Sequence, residues 1–422
     1  MQILRANIIF TPESTRFQVV ESGYIVVAGG KVEGVYQTLP EEYQHSPVTD
    51  LGNSLLIPAM NDMHVHASQI RNQGIAMDQE LLPWLQHYTF PEEQKYVDTS
   101  YAERMYRHFV HTLWRHGTMR VVAFASVHLH STLLLMRLLD EAGMAAYVGK
   151  VNMDSRCPDD LQETPGEALA AHEELMRQYG HDASRVRPIV TPRFIPSCTP
   201  QLLHACGEMA RRYNLPVQSH LSENLSEIAL VRQLEPESLC YADAYRRYGL
   251  LGQTPTIMAH CVWSNDEELE LLRQCGVMVA HCPTSNFNVA SGLAPVRRML
   301  QKGINVALGS DVSAGHDFSL FRMMVYAIQV SKMHYQRDKT CRPLTLAEAF
   351  WMATKSAGQF FGNVGSFEPG YDFDALVIDD SELLIDNSYT PLQRLERFVY
   401  IGDDRHIAAR YCCGQRLTEP QR

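Results

Sequence analysis

PVQSHLSENLSEIALVRQL, residues 216–234, carries the reading that decides the fold. A short apolar run stops at His220, the chain turns through polar residues, and a stretch of helical length follows at once. That is the shape of one βα unit. The same shape recurs along the chain, with candidate strands ending at MHVH (63–66), VVAFA (121–125), VGKVNM (148–153), PIVTPRF (188–194), PVQSH (216–220), IMAHC (257–261), VMVAHC (277–282) and VALGSD (306–311). Helical stretches such as QLLHACGEMARRY (201–213) and DEELELLRQC (266–275) lie between them. Eight such units predict an α/β protein built on a (β/α)8 TIM-type barrel, whose buried parallel strands read as continuous apolar runs. A doubly wound open sheet is the alternative.

The two ends of the chain read differently. In ESGYIVVAGGKVEGVY (21–36), Gly29 and Gly30 separate two β-rich stretches and predict a hairpin. After Gly365, SFEPGYDFDALVID and HIAARYCCGQRL read as strands again, the first around a Pro369-Gly370 turn. Neither end is large enough to bury a core by itself. Residues 1–57 and 365–422 are therefore expected to form one composite β-sandwich, and residues 58–364 the catalytic barrel. The stretch 67–98 is a long insertion after the first barrel strand, expected over the mouth as a lid.

Composition narrows the function. An apolar fraction of 45% and a charged fraction of 20% suit a globular protein with a substantial core. With 37 basic against 48 acidic residues the net charge is −11, which repels a phosphate backbone or an anionic bilayer. No nucleic-acid or membrane partner is expected, and a small molecule is. The apolar runs near Val121 and Leu133 are broken by Arg120, His128, His130 and Arg137 well short of a membrane span. MQILRANIIF lacks the features of a secretory leader, so the expected location is cytoplasmic. Ten scattered cysteines with no CxxC pair predict free thiols.

His64 and His66 stand two apart at the end of the first strand, so strand alternation points both imidazoles to one side. His220, His260 and Asp311 stand where later apolar strands end. In a barrel all five meet at the C-terminal mouth, whereas unpaired polar groups at these positions would be costly in a core. Three imidazoles and a carboxylate suit Zn²⁺, one per subunit, with Fe²⁺ or Co²⁺ as alternatives. Glu223, three residues beyond His220, is placed to shuttle protons beside the ion; it also suits the N-terminus of the following helix. Trp84 and Phe194 are candidate apolar walls. No GxSxG elbow, phosphate loop, dinucleotide turn or compact-deaminase HxE plus PCxxC signature occurs. Metal-assisted hydrolysis survives.

The HxH pair, the strand-five histidine with its glutamate, the AHC of strand six and the SD of strand eight resemble the single-metal deaminase branch of the amidohydrolase superfamily. That resemblance runs from about residue 24 to 379, and within it HVHASQ, LLPWLQHYTFP, TPRF, QSHLSEN, HCPTSN and GSDVSAG further resemble the guanine deaminases. The resemblance implies that His64, His66, His220 and Asp311 ligate the metal. It implies that Glu223, His260 and Asp311 are catalytic, that Gln69 and Arg193 read a purine edge with Phe194 beside it, and that the protein is a homodimer. The implied reaction is zinc-dependent hydrolysis of guanine to xanthine and ammonia. Three positions depart from the pattern: Met63 where a small hydroxyl residue is usual, Ser68 where proline is frequent, and Ala294 where an aromatic is common. A lost aromatic at 294 would enlarge the pocket, which keeps a pterin or a substituted purine as an alternative substrate. Cyclic amide hydrolysis at a two-metal site usually needs a bridging lysine, for which Lys150 is the sole nearby substitute. A catalytically inactive barrel used for assembly is the remaining rival.

Overall fold

The structure is a computed structural model that describes residues 1–181, 184–386 and 388–422. Four strands open the chain: β1 (Gln2–Glu13), β2 (Arg16–Ala28), β3 (Lys31–Tyr36) and β4 (Thr49–Pro58). The β2–β3 hairpin turns where the glycines predict it, with φ of 58° at Gly29 and 82° at Gly30, a left-handed pair that glycine adopts without strain.

The middle of the chain alternates strand and helix. Its strands are β5 (Met60–His66), β6 (Thr118–Phe124), β7 (Ala145–Gly149), β8 (Val151–Asn152), β9 (Val186–Pro188), β10 (Thr191–Pro192), β11 (Val217–Leu221), β12 (Thr256–His260), β13 (Met278–His281) and β14 (Asn305–Leu308). Every expected strand is present, but the third and fourth are each broken in two. VGKVNM divides at Lys150 and PIVTPRF at residues 189–190. Pro188 and Pro192 lack the N–H that a continuous ladder needs.

The pairings are parallel throughout: β5-β6-β7-β9, the short pair β8-β10, and β11-β12-β13-β14. Backbone hydrogen bonds tie the two larger sheets together at both margins. On one, the Gln218 amide donates to the Val190 carbonyl at 3.0 Å. On the other, the Asp311 amide donates to the His64 carbonyl at 2.8 Å and the His66 amide to the Val312 carbonyl at 3.0 Å. Amphipathic helices such as Thr99–Arg115 and Leu129–Glu141 join the strands. Asp98 caps the first by accepting from the Ser100 and Tyr101 amides.

The chain closes with β15 (Ala375–Ile378), β16 (Ile407–Cys412) and β17 (Gln415–Arg416). These join the opening strands in one seven-stranded mixed sheet, ordered β17-β16-β15-β4-β1-β2-β3. Strand alternation gives β1 two apolar faces. Leu4, Ala6, Ile8 and Phe10 pack with Phe367, Phe373, Val377 and Tyr411 in a core of the sheet's own, while Ile9, with Leu55 and Ile57 of β4, joins the main core. Strands from both ends of the chain thus share one sheet. A helix at Pro391–Ile401, not anticipated, is capped by Thr390 and buries Leu395, Phe398 and Val399 in the main core. All ten cysteines are unpaired. Among the described residues no helix is long and apolar enough to cross a membrane.

Candidate active site

The polar strand ends meet on one rim. His64 and His66 occupy the end of β5 with ring centroids 5.0 Å apart, and His220 of β11 faces both, at 4.8 and 5.2 Å. Asp311, just after β14, places Oδ1 3.2 Å from His64 Nε2 and 3.4 Å from His66 Nε2. His66 Nε2 lies 3.1 Å from His220 Nε2. His260, at the end of β12, puts Nε2 3.8 Å from Asp311 Oδ2. The four expected ligands therefore converge, and His260 lies within reach of the same position, since its ligand atom falls within 4.8 Å of those of His64 and His220.

The donor set fits a cation. Each histidine is buried, and burial first, with neighbouring imidazoles second, holds His64, His66 and His220 well below the ordinary histidine range, so all three are neutral. His220 Nδ1 lies 2.6 Å from the Arg193 carbonyl, an acceptor only, so that nitrogen carries the hydrogen and Nε2 turns a lone pair inward. His64 Nε2 and His260 Nε2 are buried without a hydrogen-bond partner. Buried polar atoms of this kind call for a partner, and the inward lone pair of His220 beside a carboxylate suits a divalent ion.

Backbone strain concentrates here. His260 (φ 74°), Asp311 (47°) and Ser222 (47°) all occupy left-handed conformations, where side chains other than glycine's are strained. The departures re-aim side chains as the strands end. Asp62, which the sequence reading passed over, accepts from the Ser310 amide at 3.0 Å and the His64 amide at 3.3 Å, pinning the loop of Asp311 to β5. Burial pushes its carboxyl up to about 7.

Glu223 follows β11 with Oε2 3.5 Å from His260 Nε2, while its Oε1 accepts from the Ser291 hydroxyl at 3.3 Å. Burial, and then the charge of Asp311, holds its carboxyl well above the usual range, so it retains a proton readily. Its alternative role as an N-terminal helix residue falls to its neighbours. Asn224 caps Leu225–Leu234, and Glu227 completes the capping box. His260 Nδ1 lies 3.0 Å from Asn286 Oδ1.

Beside this cluster lies a cavity walled by both apolar and polar side chains. Gln69, Trp84, Arg193 and Phe194 all line it. Leu81, Leu85 and Ala314 line it too, and the sequence reading missed them. A signal existed: Leu81, Trp84 and Leu85 have the spacing of one helical face. The insertion 67–98 folds as short helical turns that bring this face over the cavity. Gln69 and Arg193 both hydrogen-bond to buried Glu93, another residue not singled out.

Two expectations are revised. Ala294 is buried in the main core away from this cavity, so its small side chain enlarges no wall of it. Lys150 is spent on Glu163 and does not line the site.

The profile of the amidohydrolase family matches residues 55–417. The guanine deaminase of Dictyostelium discoideum is 37% identical over 382 residues, covering 89% of this chain and 85% of that protein. That of Escherichia coli strain K12 is 32% identical, covering 96% and 93%. The crystal structure of guanine deaminase from C. acetobutylicum, with guanine bound in its active site, superposes with a TM-score of 0.97 at 50% identity, covering 99% of this chain and 100% of that one. With the profile spanning most of its length and relatives of this identity aligned end to end, the chain belongs to the amidohydrolase family, on the branch that holds the guanine deaminases.

Proposed function

We propose that this protein hydrolyses guanine to xanthine and ammonia. The observation that carries the reading is the convergence of three neutral imidazoles and Asp311 beside Glu223, on the wall of a cavity that also displays Gln69 and Arg193. His64, His66, His220 and Asp311 would hold one divalent ion per subunit, and the nitrogen-rich donor set favours zinc. Such an ion supplies the Lewis acidity that lets water act as a nucleophile near neutral pH.

The protein's own groups do the rest. Arg193 and Gln69 hold the six-membered ring of the base, and Trp84, Leu81, Leu85 and Phe194 exclude bulk water. Water adds at C2; Glu223 Oε2 takes its proton and passes it to the ring nitrogen. The same oxygen then takes the remaining proton of the added hydroxyl and delivers it to the exocyclic amine, which leaves as ammonia as C2 becomes a carbonyl. Guanine plus water thus balances xanthine plus ammonia. His260 steadies the charge that develops at the attacked centre, which requires its hydrogen on Nε2 and the Asn286 amide turned to donate to Nδ1.

The same reading takes the parallel strands as a closed eight-stranded barrel, supported by the hydrogen bonds at both sheet margins. It takes the terminal sheet as a rolled sandwich formed by residues 1–57 and 365–422 around its shared apolar cluster, leaving 58–364 as the catalytic unit. A cytoplasmic homodimer follows from the resemblance. Zinc-loaded protein is expected to release ammonia from guanine, to lose that activity on chelation and to regain it with zinc. Silence on guanine by fully loaded protein overturns the proposal and favours an assembly role.

A further inference from the structure

Glu93 sits at the end of the short helix Phe90–Glu93, inside the insertion and almost wholly buried. One of its oxygens accepts from two residues at once: Gln69 Nε2 at 2.8 Å and Arg193 Nη1 at 3.0 Å. The other accepts from Arg193 Nη1 at 2.7 Å. On the opposite side, Ser313 Oγ lies 3.4 Å from Gln69 Oε1. Phe90 covers the guanidinium, its ring centroid 5.3 Å from the Arg193 carbon.

A carboxylate only accepts, so it selects the nitrogen end of the Gln69 amide and leaves Oε1 as the acceptor on the other side. The same carboxylate compensates Arg193, whose Nε and Nη2 have no hydrogen-bond partner among the described residues. The wall then offers guanidinium donors beside an amide of fixed polarity. A base edge with a carbonyl next to a ring N–H complements that pair, and an edge with an amino group next to a bare ring nitrogen does not.

We propose that Glu93 is a positioning residue that fixes the donor and acceptor polarity of the Gln69–Arg193 edge, and so makes the cavity selective for 6-oxopurines over 6-aminopurines. This rests on the purine-binding reading above. A neutral amide at 93 donates as well as accepts, so Glu93→Gln lets Gln69 settle in either orientation.

The test is calorimetric binding of hypoxanthine and of adenine, which differ in this edge, to zinc-loaded wild type and Glu93→Gln. Wild type is expected to prefer hypoxanthine by at least about tenfold, and the variant to lose most of that preference, because a site built to pair polar groups rejects the mismatched edge. Zinc content should be unchanged, and with guanine the loss should fall on KM more than on kcat. Should Glu93→Gln fail to fold, Gln69→Leu carries the test: it removes the oriented amide and must also narrow the preference. An unchanged hypoxanthine-to-adenine ratio in the folded variant overturns the proposal, as does a wild type without preference. Absence of ammonia release from guanine by a wild type that still discriminates the two bases overturns the deaminase reading alone.

Discussion

Glu223 is the residue whose chemistry is easiest to isolate, because its two oxygens have separate neighbours. Oε1 is held by Ser291, and Oε2 faces His260. Glu223→Gln keeps the shape and the Ser291 contact but cannot carry a proton. We expect zinc content to stay at wild-type level while kcat on guanine falls by about 10²–10⁴-fold, the usual contribution of a placed general acid or base. Metal analysis alongside steady-state ammonia release checks it, and full zinc with near-normal turnover removes Glu223 from the shuttle. At this scale the sequence was highly informative where a polar residue ended an apolar strand, as at His64, His66, His220, His260 and Asp311. It was silent on Glu93 and Asp62. A lone carboxylate in an irregular insertion, or one strand residue among many, carries no periodic signal, and its partners lie far away in the chain.

Among the elements, the helix Pro165–Tyr179 offers a clean test of burial. Its N-terminus is set by Thr164 and Glu167 in a capping box, with Pro165 at the first turn. His172 is fully buried on its inner face, Nδ1 2.9 Å from the Ala168 carbonyl, and burial lowers its pKa to about 4. A base whose folded pKa is depressed binds more protons when unfolded, so its contribution to stability is complete above the unfolded value near 6.5 and is lost as pH falls toward 4. The span corresponds to about 3 kcal/mol. We expect His172→Leu to flatten the fall in unfolding free energy between pH 6.5 and 4, measured by urea titration at several pH values; an unchanged slope means that this histidine is not the source. Element boundaries were less legible than element types. The third and fourth strands of the βα series read as continuous, yet each is split, because hydropathy does not register a missing N–H at Pro188 and Pro192.

For the molecule as a whole, Arg120 is the joint between the central strands and the terminal sheet. It belongs to β6, its Nε lies 2.6 Å from Asp374 Oδ2 and its Nη2 2.8 Å from Asp372 Oδ2, while Asp374 Oδ1 accepts from the Cys413 amide. Arg120 and Asp374 are both buried. Arg120→Ala strands Asp374 as an uncompensated buried charge, for which we expect a loss of about 3–5 kcal/mol in urea unfolding. Arg120→Ala combined with Asp374→Ala should recover part of it. Equal losses in single and double variants contradict the joint.

What the sequence determined by itself was the alternation of strand and helix and the list of side chains that end the strands, because side-chain period and hydropathy are local properties of the chain. Only the tertiary structure decided which of those ends share an ion-sized gap, that Ala294 is no part of the wall of the cavity beside that gap, and that Glu93 grips both Gln69 and Arg193. Those facts depend on distances between residues up to hundreds of positions apart, and packing, not local preference, sets such distances.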